Sequence, residues 1–125
     1  TQGVTCIQAG AWSEDCTMRF SARGGRNSAL SGKGTETVMR AVDSVLCGAA
    51  ATYLKFDVEG AEYEALCGAA KTIQTYQPKL FVAAYHRNED LFRLPLLIAE
   101  MNPSYQLYLR HYSYIPAWET NIVAK

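Results

Sequence analysis

The sequence predicts an α/β fold, and three patterns carry that expectation. Leu54, Phe56 and Val58 alternate with Tyr53, Lys55 and Asp57, which is strand periodicity, and Gly60 marks the turn that follows. Ala61, Ala65, Leu66, Ala69, Ala70 and Ile73 then recur at helical spacing and predict a helix over 61–76. Finally, Leu80-Phe81-Val82-Ala83-Ala84-Tyr85 is a continuous apolar run, as in a parallel strand covered on both faces. Strand, helix and strand in this order form the repeating unit of an α/β sheet.

The 125 residues suit a single domain spanning 1–125. Twelve basic and twelve acidic side chains cancel. No Lys or Arg run is long enough to track phosphates, so neither nucleic acid nor an anionic membrane is expected as a main partner. No apolar run reaches the ~18 residues that span a bilayer, and no charged-then-apolar leader opens the chain. Cys6, Cys16, Cys47 and Cys67 lack the close spacing of a zinc site or a redox pair. Cys6 and Cys67 lie on apolar segments and are expected as small core side chains. Free thiols of this kind fit a cytoplasmic location.

In chain order, residues 4–10 alternate weakly and end at Gly10, predicting a strand, and residues 17–20 predict a second short one. Residues 21–37 are rich in Gly, Ser and Arg without periodicity, predicting a mobile loop. Its Gly32-Lys33-Gly34-Thr35 fails the phosphate-loop pattern, which needs four residues between its glycines and Ser or Thr directly after Lys. Arg23, Arg26 and Lys33 would meet an anionic substrate only if that loop folds over the site. Residues 36–42 read as a strand, and 43–47 as a short helix capped by Asp43. Pro78 stops the helix over 61–76. Asn88-Glu89-Asp90 reads as a loop and cap before a helix over 91–101, with Pro95 near its first turn or at a kink. Residues 105–111 and 120–124 close the chain as an antiparallel strand pair, connected by 113–118.

The strands over 53–58 and 80–85 are expected as parallel neighbours joined by the helical crossover, with their carboxyl ends side by side. Asp57, Glu59, Tyr85 and His86 then converge on one crevice. His86 is the candidate general base, because imidazole ordinarily titrates near neutrality, and Asp57 is the alternative base. Glu59, Tyr85 and Arg87 are the candidate substrate contacts. Asp57, Glu59 and His86 also have the chemistry to hold a divalent cation, but spacing alone does not define a metal centre and none is assigned. Glu62 lies in the first helical turn and is expected to serve the helix dipole. His111 is expected at the surface.

Leu54-Lys55-Phe56-Asp57-Val58-Glu59-Gly60-Ala61-Glu62, followed by Leu66, Gly68, Ala69 and Pro78-Lys79-Leu80, resembles the signature of the FkbM-type family of S-adenosylmethionine-dependent methyltransferases. The segments 85–91 and 105–112 resemble later parts of some members. The resemblance implies the C-terminal part of a Rossmann-like methyltransferase sheet, mainly parallel with an antiparallel pair at its end. It implies transfer of a methyl group from S-adenosylmethionine to an oxygen of a sugar or other small molecule. It also implies that Asp57 touches the cofactor and that Trp12 faces the adenine, although covering the core edge explains Trp12 equally. The family's Gly-rich cofactor turn does not appear before Val4, so the chain alone is expected to be inactive. The alternative is a non-catalytic binding or oligomerisation module on the same half-fold. In the family a further strand pairs with the one over 53–58. Its place is expected to be taken by residues 4–9, by the hairpin carrying Met18 and Val38, or by a second copy in a homodimer.

Overall fold

The computed structural model describes residues 3–20, 35–111 and 120–125. A four-stranded sheet in the order β4-β5-β7-β6 comprises β4 (Tyr53–Phe56), β5 (Lys79–Ala83), β7 (Thr120–Ala124) and β6 (Leu107–His111). A three-stranded sheet in the order β1-β3-β2 comprises β1 (Gly10–Ala11), β3 (Thr35–Arg40) and β2 (Cys16–Phe20). The helices are α1 (Val42–Leu46), α2 (Glu62–Cys67), α3 (Ala70–Tyr76) and α4 (Asp90–Met101).

β4 and β5 run parallel with Tyr53 opposite Lys79 and Phe56 opposite Val82, as the alternating and continuous apolar runs predict. β5 is the apolar strand at the heart of the sheet: Leu80, Val82 and Ala83 are all buried. β7 runs antiparallel between β5 and β6. Mutual hydrogen bonds of Gln106 and Lys125 extend the β6–β7 ladder by one pair. In the other sheet β1 is parallel and β2 antiparallel to β3. The expectation of a mainly parallel sheet therefore needs correction among the described residues: two strand pairings are parallel and three antiparallel. The α2–α3 segment supplies the long crossover that the parallel pair β4 and β5 requires.

The core packs Leu66 of α2, Ile73 of α3, and Leu94 and Ile98 of α4 against Leu80, Val82 and Ile122 of the sheet. Leu66, Ile73, Leu80, Leu94 and Ile98 are wholly buried. At ~1.5–3 kcal/mol for each buried aliphatic side chain, this cluster is a main source of stability. α4 keeps Pro95 inside the helix. It ends where the Asn102 side chain accepts hydrogen bonds from the Ser104 amide at 3.0 Å and hydroxyl at 2.7 Å, an Asx turn that competes with further helix.

The helix expected over 61–76 is instead two helices, broken at Gly68–Ala69. The break has a tertiary cause. Gly68 lies so close to Trp12 that a Cβ there would overlap the Trp12 carbonyl oxygen and stand 3.2 Å from Ala41 Cα, and the Gly68 carbonyl accepts the Asp43 amide at 2.9 Å. α3 then starts afresh, and Asp43 caps it. The Asp43 carboxylate accepts the Lys71 amide at 3.0 Å, the Thr72 amide at 2.9 Å and the Thr72 hydroxyl at 2.7 Å. Asp43 is thus a cap, as its residue type suggests, but for a helix 27 positions away and not for α1, whose flanking residue is Ala41.

Residues 4–9 form no strand: only Gly10–Ala11 pairs, and Val4 and Ile7 stay exposed, although Ile7 borders a cleft with Val42, Val45 and Leu54. Neither this segment nor the β2–β3 hairpin pairs with β4, since both join the other sheet, so those two expected replacements are overturned. Among the described residues the outer edge of β4 carries no strand. Cys6 is exposed and not in the core, and Cys67 is half-buried, with burial and the nearby Glu64 charge raising its thiol above the ordinary range. Residues 35–37 of the expected loop belong to β3, paired to β2 from Thr35 opposite Phe20. Residues 21–34, with Arg23, Arg26 and Lys33, and the connection over 113–118 lie outside the described residues.

Candidate functional site

The site is built where β4 and β5 end together. β4 stops at Phe56, and the chain turns through Glu59 and Gly60 at φ +54° and +96°, with the Ala61 amide donating to the Val58 carbonyl at 3.2 Å. Glycine takes this left-handed conformation freely, whereas Glu59 pays roughly 1–2 kcal/mol for it. Such strain is often found where a side chain must be aimed. Gly60 also lets Arg87 pass: a Cβ there would lie 3.2 Å from Arg87 Nε. The turn delivers Glu62 to the first position of α2 with its side chain folded back beneath the turn.

Glu62 is wholly buried. Its Oε1 accepts the Val58 amide at 2.9 Å and meets His86 Nδ1 at 2.7 Å. A carboxylate only accepts, so Nδ1 donates to Glu62 and Nε2 faces away from it. On that far side lie Asp57 Oδ1 at 3.7 Å and Glu59 Oε2 at 3.6 Å, both too long for hydrogen bonds. The His86 side chain is only 11% exposed, while Asp57 and Glu59 open to solvent at 40% and 68%. Tyr85 donates its hydroxyl to Asp57 Oδ1 at 2.9 Å and stacks obliquely on the imidazole, centroids 4.3 Å apart. The arrangement is an oriented imidazole whose Nε2 has no hydrogen-bond partner among the described residues and is flanked by two exposed carboxylates.

Asp57, Glu59, Tyr85 and His86 are therefore brought together, and Arg87 borders them across Gly60. Trp12 is placed elsewhere. Its amide donates to the Arg40 carbonyl at 3.0 Å, and its carbonyl lies against Gly68, at the opposite end of α2 from Glu62 and ~9 Å along the helix axis. His111 is exposed on β6, with Nδ1 2.9 Å from the Thr120 hydroxyl.

Sequence reasoning missed Glu62 as a partner of His86. A Gly turn followed by Glu at the first helical position, able to reach back to a preceding amide as in a capping box, is the signal that could have found it. Asp90, read as a loop or cap residue, is likewise buried, at 2% exposure, in the first turn of α4. Burial first, and then the Glu62 charge, push its carboxyl up to about 6. Asp57, Glu62 and His86 also offer one ligand atom each within 4.8 Å of one another. Glu62 and Asp57 nevertheless address opposite nitrogens of the ring, an arrangement suited to an orienter and a facing group.

A family model described as the methyltransferase FkbM domain matches residues 8–116. No curated protein matches the chain closely. Among solved structures, the crystal structure of methyltransferase FkbM from Methylobacillus flagellatus KT is similar, with 30% identity and a TM-score of 0.78. The likeness covers 97% of this chain and 28% of that one, so the chain spans little more than a quarter of its solved relative. With the acidic turn at Gly60 matched within a family model that spans most of its length, this chain belongs to the FkbM methyltransferase family.

Proposed function

We propose that this chain carries the acceptor-activating part of a methyltransferase site, for transfer of a methyl group from S-adenosylmethionine to an oxygen of a sugar or other small molecule. The observation that carries the reading is the Glu62–His86 pair, which turns Nε2 toward Asp57 and, among the described residues, leaves it without a hydrogen-bond partner. A hydroxyl becomes a competent nucleophile as it loses its proton, and an imidazole held by a buried carboxylate is suited to accept it. His86 takes the proton at Nε2. Glu62 holds the ring and stabilises the charge that forms on it. Glu59, Tyr85 and Arg87 border the acceptor. Asp57, fixed by the Tyr85 hydroxyl, lies beside Nε2, and two exposed carboxylates at this mouth suit a cationic sulfonium. Bound there, S-adenosylmethionine would supply an electrophilic methyl group. Trp12 as an adenine contact belongs to this proposal only if the cofactor extends toward Gly68.

Two further expectations belong to the same reading: that residues 1–125 act as one domain, and that the outer edge of β4 is covered by a second copy or another chain. Among the described residues that edge is unpaired, with Tyr53 and Lys55 exposed, and an unpaired edge is open to strand addition. Calorimetric titration with S-adenosylmethionine and S-adenosylhomocysteine, with solution mass recorded alongside, tests the proposal. Micromolar binding, about −8 kcal/mol, weakened at least tenfold by Asp57→Ala, supports it. The absence of heat up to millimolar ligand would overturn it in favour of a non-catalytic binding or oligomerisation module.

A further inference from the structure

The mouth of the site holds more negative charge than its own cations answer. Asp57, Glu59 and Glu62 surround one imidazole, and among the described residues their ion-pair partners are that imidazole and Lys55, whose ammonium stands 4.0 Å from Asp57 Oδ2. Glu62 is wholly buried, and its Oε2 has no hydrogen-bond partner among the described residues. A carboxylate taken out of water in this way is costly without a compensating positive charge. Asp57, Glu62 and His86 nevertheless bring one ligand atom each to within 4.8 Å of one another.

The distances on the open side of the ring suit a bridging ion. His86 Nε2 lies 3.7 Å from Asp57 Oδ1 and 3.6 Å from Glu59 Oε2, beyond hydrogen-bond range. Donors ~2.1 Å from a tetrahedral ion stand ~3.4 Å apart, whereas adjacent donors of an octahedral ion at that bond length stand ~3.0 Å apart. The observed separations fall nearer the tetrahedral value, and Glu59, with its side chain 68% exposed, has room to close the remainder. Two of these groups are also held from behind, as metal ligands commonly are. Glu62 Oε1 meets His86 Nδ1 at 2.7 Å, and the Tyr85 hydroxyl donates to Asp57 Oδ1 at 2.9 Å. One imidazole nitrogen with carboxylate oxygens in a tetrahedral set suits Zn2+ better than Mg2+ or Ca2+, which favour oxygen donors and higher coordination.

We propose that His86 Nε2, Asp57 Oδ1 and Glu59 Oε2 form a Zn2+ site, in which Glu62 and Tyr85 orient the ligands and the fourth position opens to solvent. The site does not depend on methyl transfer. Its consequence for the proposed reaction is exclusion: an ion on Nε2 occupies the atom that takes the acceptor's proton, and it engages the same exposed carboxylates that suit a sulfonium. Bound Zn2+ therefore blocks the base and the cofactor mouth together.

Calorimetric titration of the whole chain with ZnCl2, without S-adenosylmethionine, tests the site, so its failure is distinguishable from failure of the functional reading. The visible spectrum of the Co2+-loaded protein shows which atoms hold the ion. One equivalent of Zn2+ should bind with a micromolar Kd. Co2+ should give a tetrahedral spectrum without the thiolate charge-transfer band that binding at the exposed Cys6 or Cys47 would produce. His86→Gln and Asp57→Asn should each weaken Zn2+ by about tenfold or more, whereas His111→Gln and the Cys6→Ser, Cys47→Ser double variant should leave it unchanged. No heat up to millimolar Zn2+, a thiolate band, undiminished affinity in His86→Gln, or equal affinity for Mg2+ would each overturn the proposal. Should the His86 or Asp57 variants fail to fold, Glu59→Gln decides at an exposed position: weakened Zn2+ binding supports the site, and unchanged binding overturns it.

Discussion

Gly68→Ala is ordinarily a stabilising kind of change, and in this chain it should do the reverse. Gly68 has φ −70° and ψ −8°, a conformation any residue adopts, so removing glycine from the end of α2 would by itself gain up to ~1 kcal/mol. The added Cβ, however, would overlap the Trp12 carbonyl oxygen and stand 3.0 Å from its carbon and 3.2 Å from Ala41 Cα. These neighbours are backbone atoms and have no rotamer with which to yield. Relief requires the 12–13 backbone or the α2–α3 junction to shift by about an ångström, an overpacking cost of roughly 1–3 kcal/mol. Such a shift also strains the Trp12 amide bond to Arg40 at 3.0 Å and the Asp43 amide bond to Gly68 at 2.9 Å, each worth about 1 kcal/mol. The expected net loss is ~2–4 kcal/mol, read as a lowered urea midpoint with unchanged slope. Gly48→Ala is the control: at φ +84° with nothing within 4 Å of a Cβ, it carries only the conformational cost of ~1–2 kcal/mol. A Gly68→Ala protein as stable as the parent would refute the tertiary account of the helix break.

Asp43→Ala should cost about 1–2 kcal/mol by stripping the acceptor from the Lys71 and Thr72 amides, and hydrogen exchange of those two amides should accelerate beyond that of β5. Asp90 predicts a pH dependence of stability. Its carboxyl keeps a proton up to about 6 in the fold and releases it near 3.8 when unfolded, so between those values the folded chain binds more protons and stability falls as pH rises. The full shift corresponds to at most ~3 kcal/mol. Denaturant midpoints should therefore show the gap between Asp90→Asn and parent moving in favour of the variant from pH 4 to pH 7. A gap that is constant with pH would contradict this.

Much of the framework was legible because it is periodic. Alternation over 53–58, the apolar run over 80–85 and the helical spacing over 91–101 each encode burial on a fixed face, and β4, β5 and α4 follow. The parallel pairing of β4 with β5 was enough to bring Asp57, Glu59, Tyr85 and His86 to one place. Residues 4–9 were misread because weak alternation does not say whether a neighbouring strand is there to pair with them, and only Gly10 and Ala11 find one. Glu62 was misread because a carboxylate in a first helical turn is usually explained by the dipole, and no local pattern states that its partner lies 24 positions away.

The division between the two sources follows from the range of the forces involved. Strand and helix periods, the stop at Pro78 and the turn at Gly60 are local properties of the chain, set by backbone sterics and by the spacing of apolar side chains, and the sequence alone determined them. The break at Gly68, the capping of α3 by Asp43, the burial of Glu62 against His86 and the burial of Asp90 depend on atoms that become neighbours only when distant segments pack. Close backbone approach and the loss of solvent around a charge are properties of that packing, and only the tertiary structure could decide them.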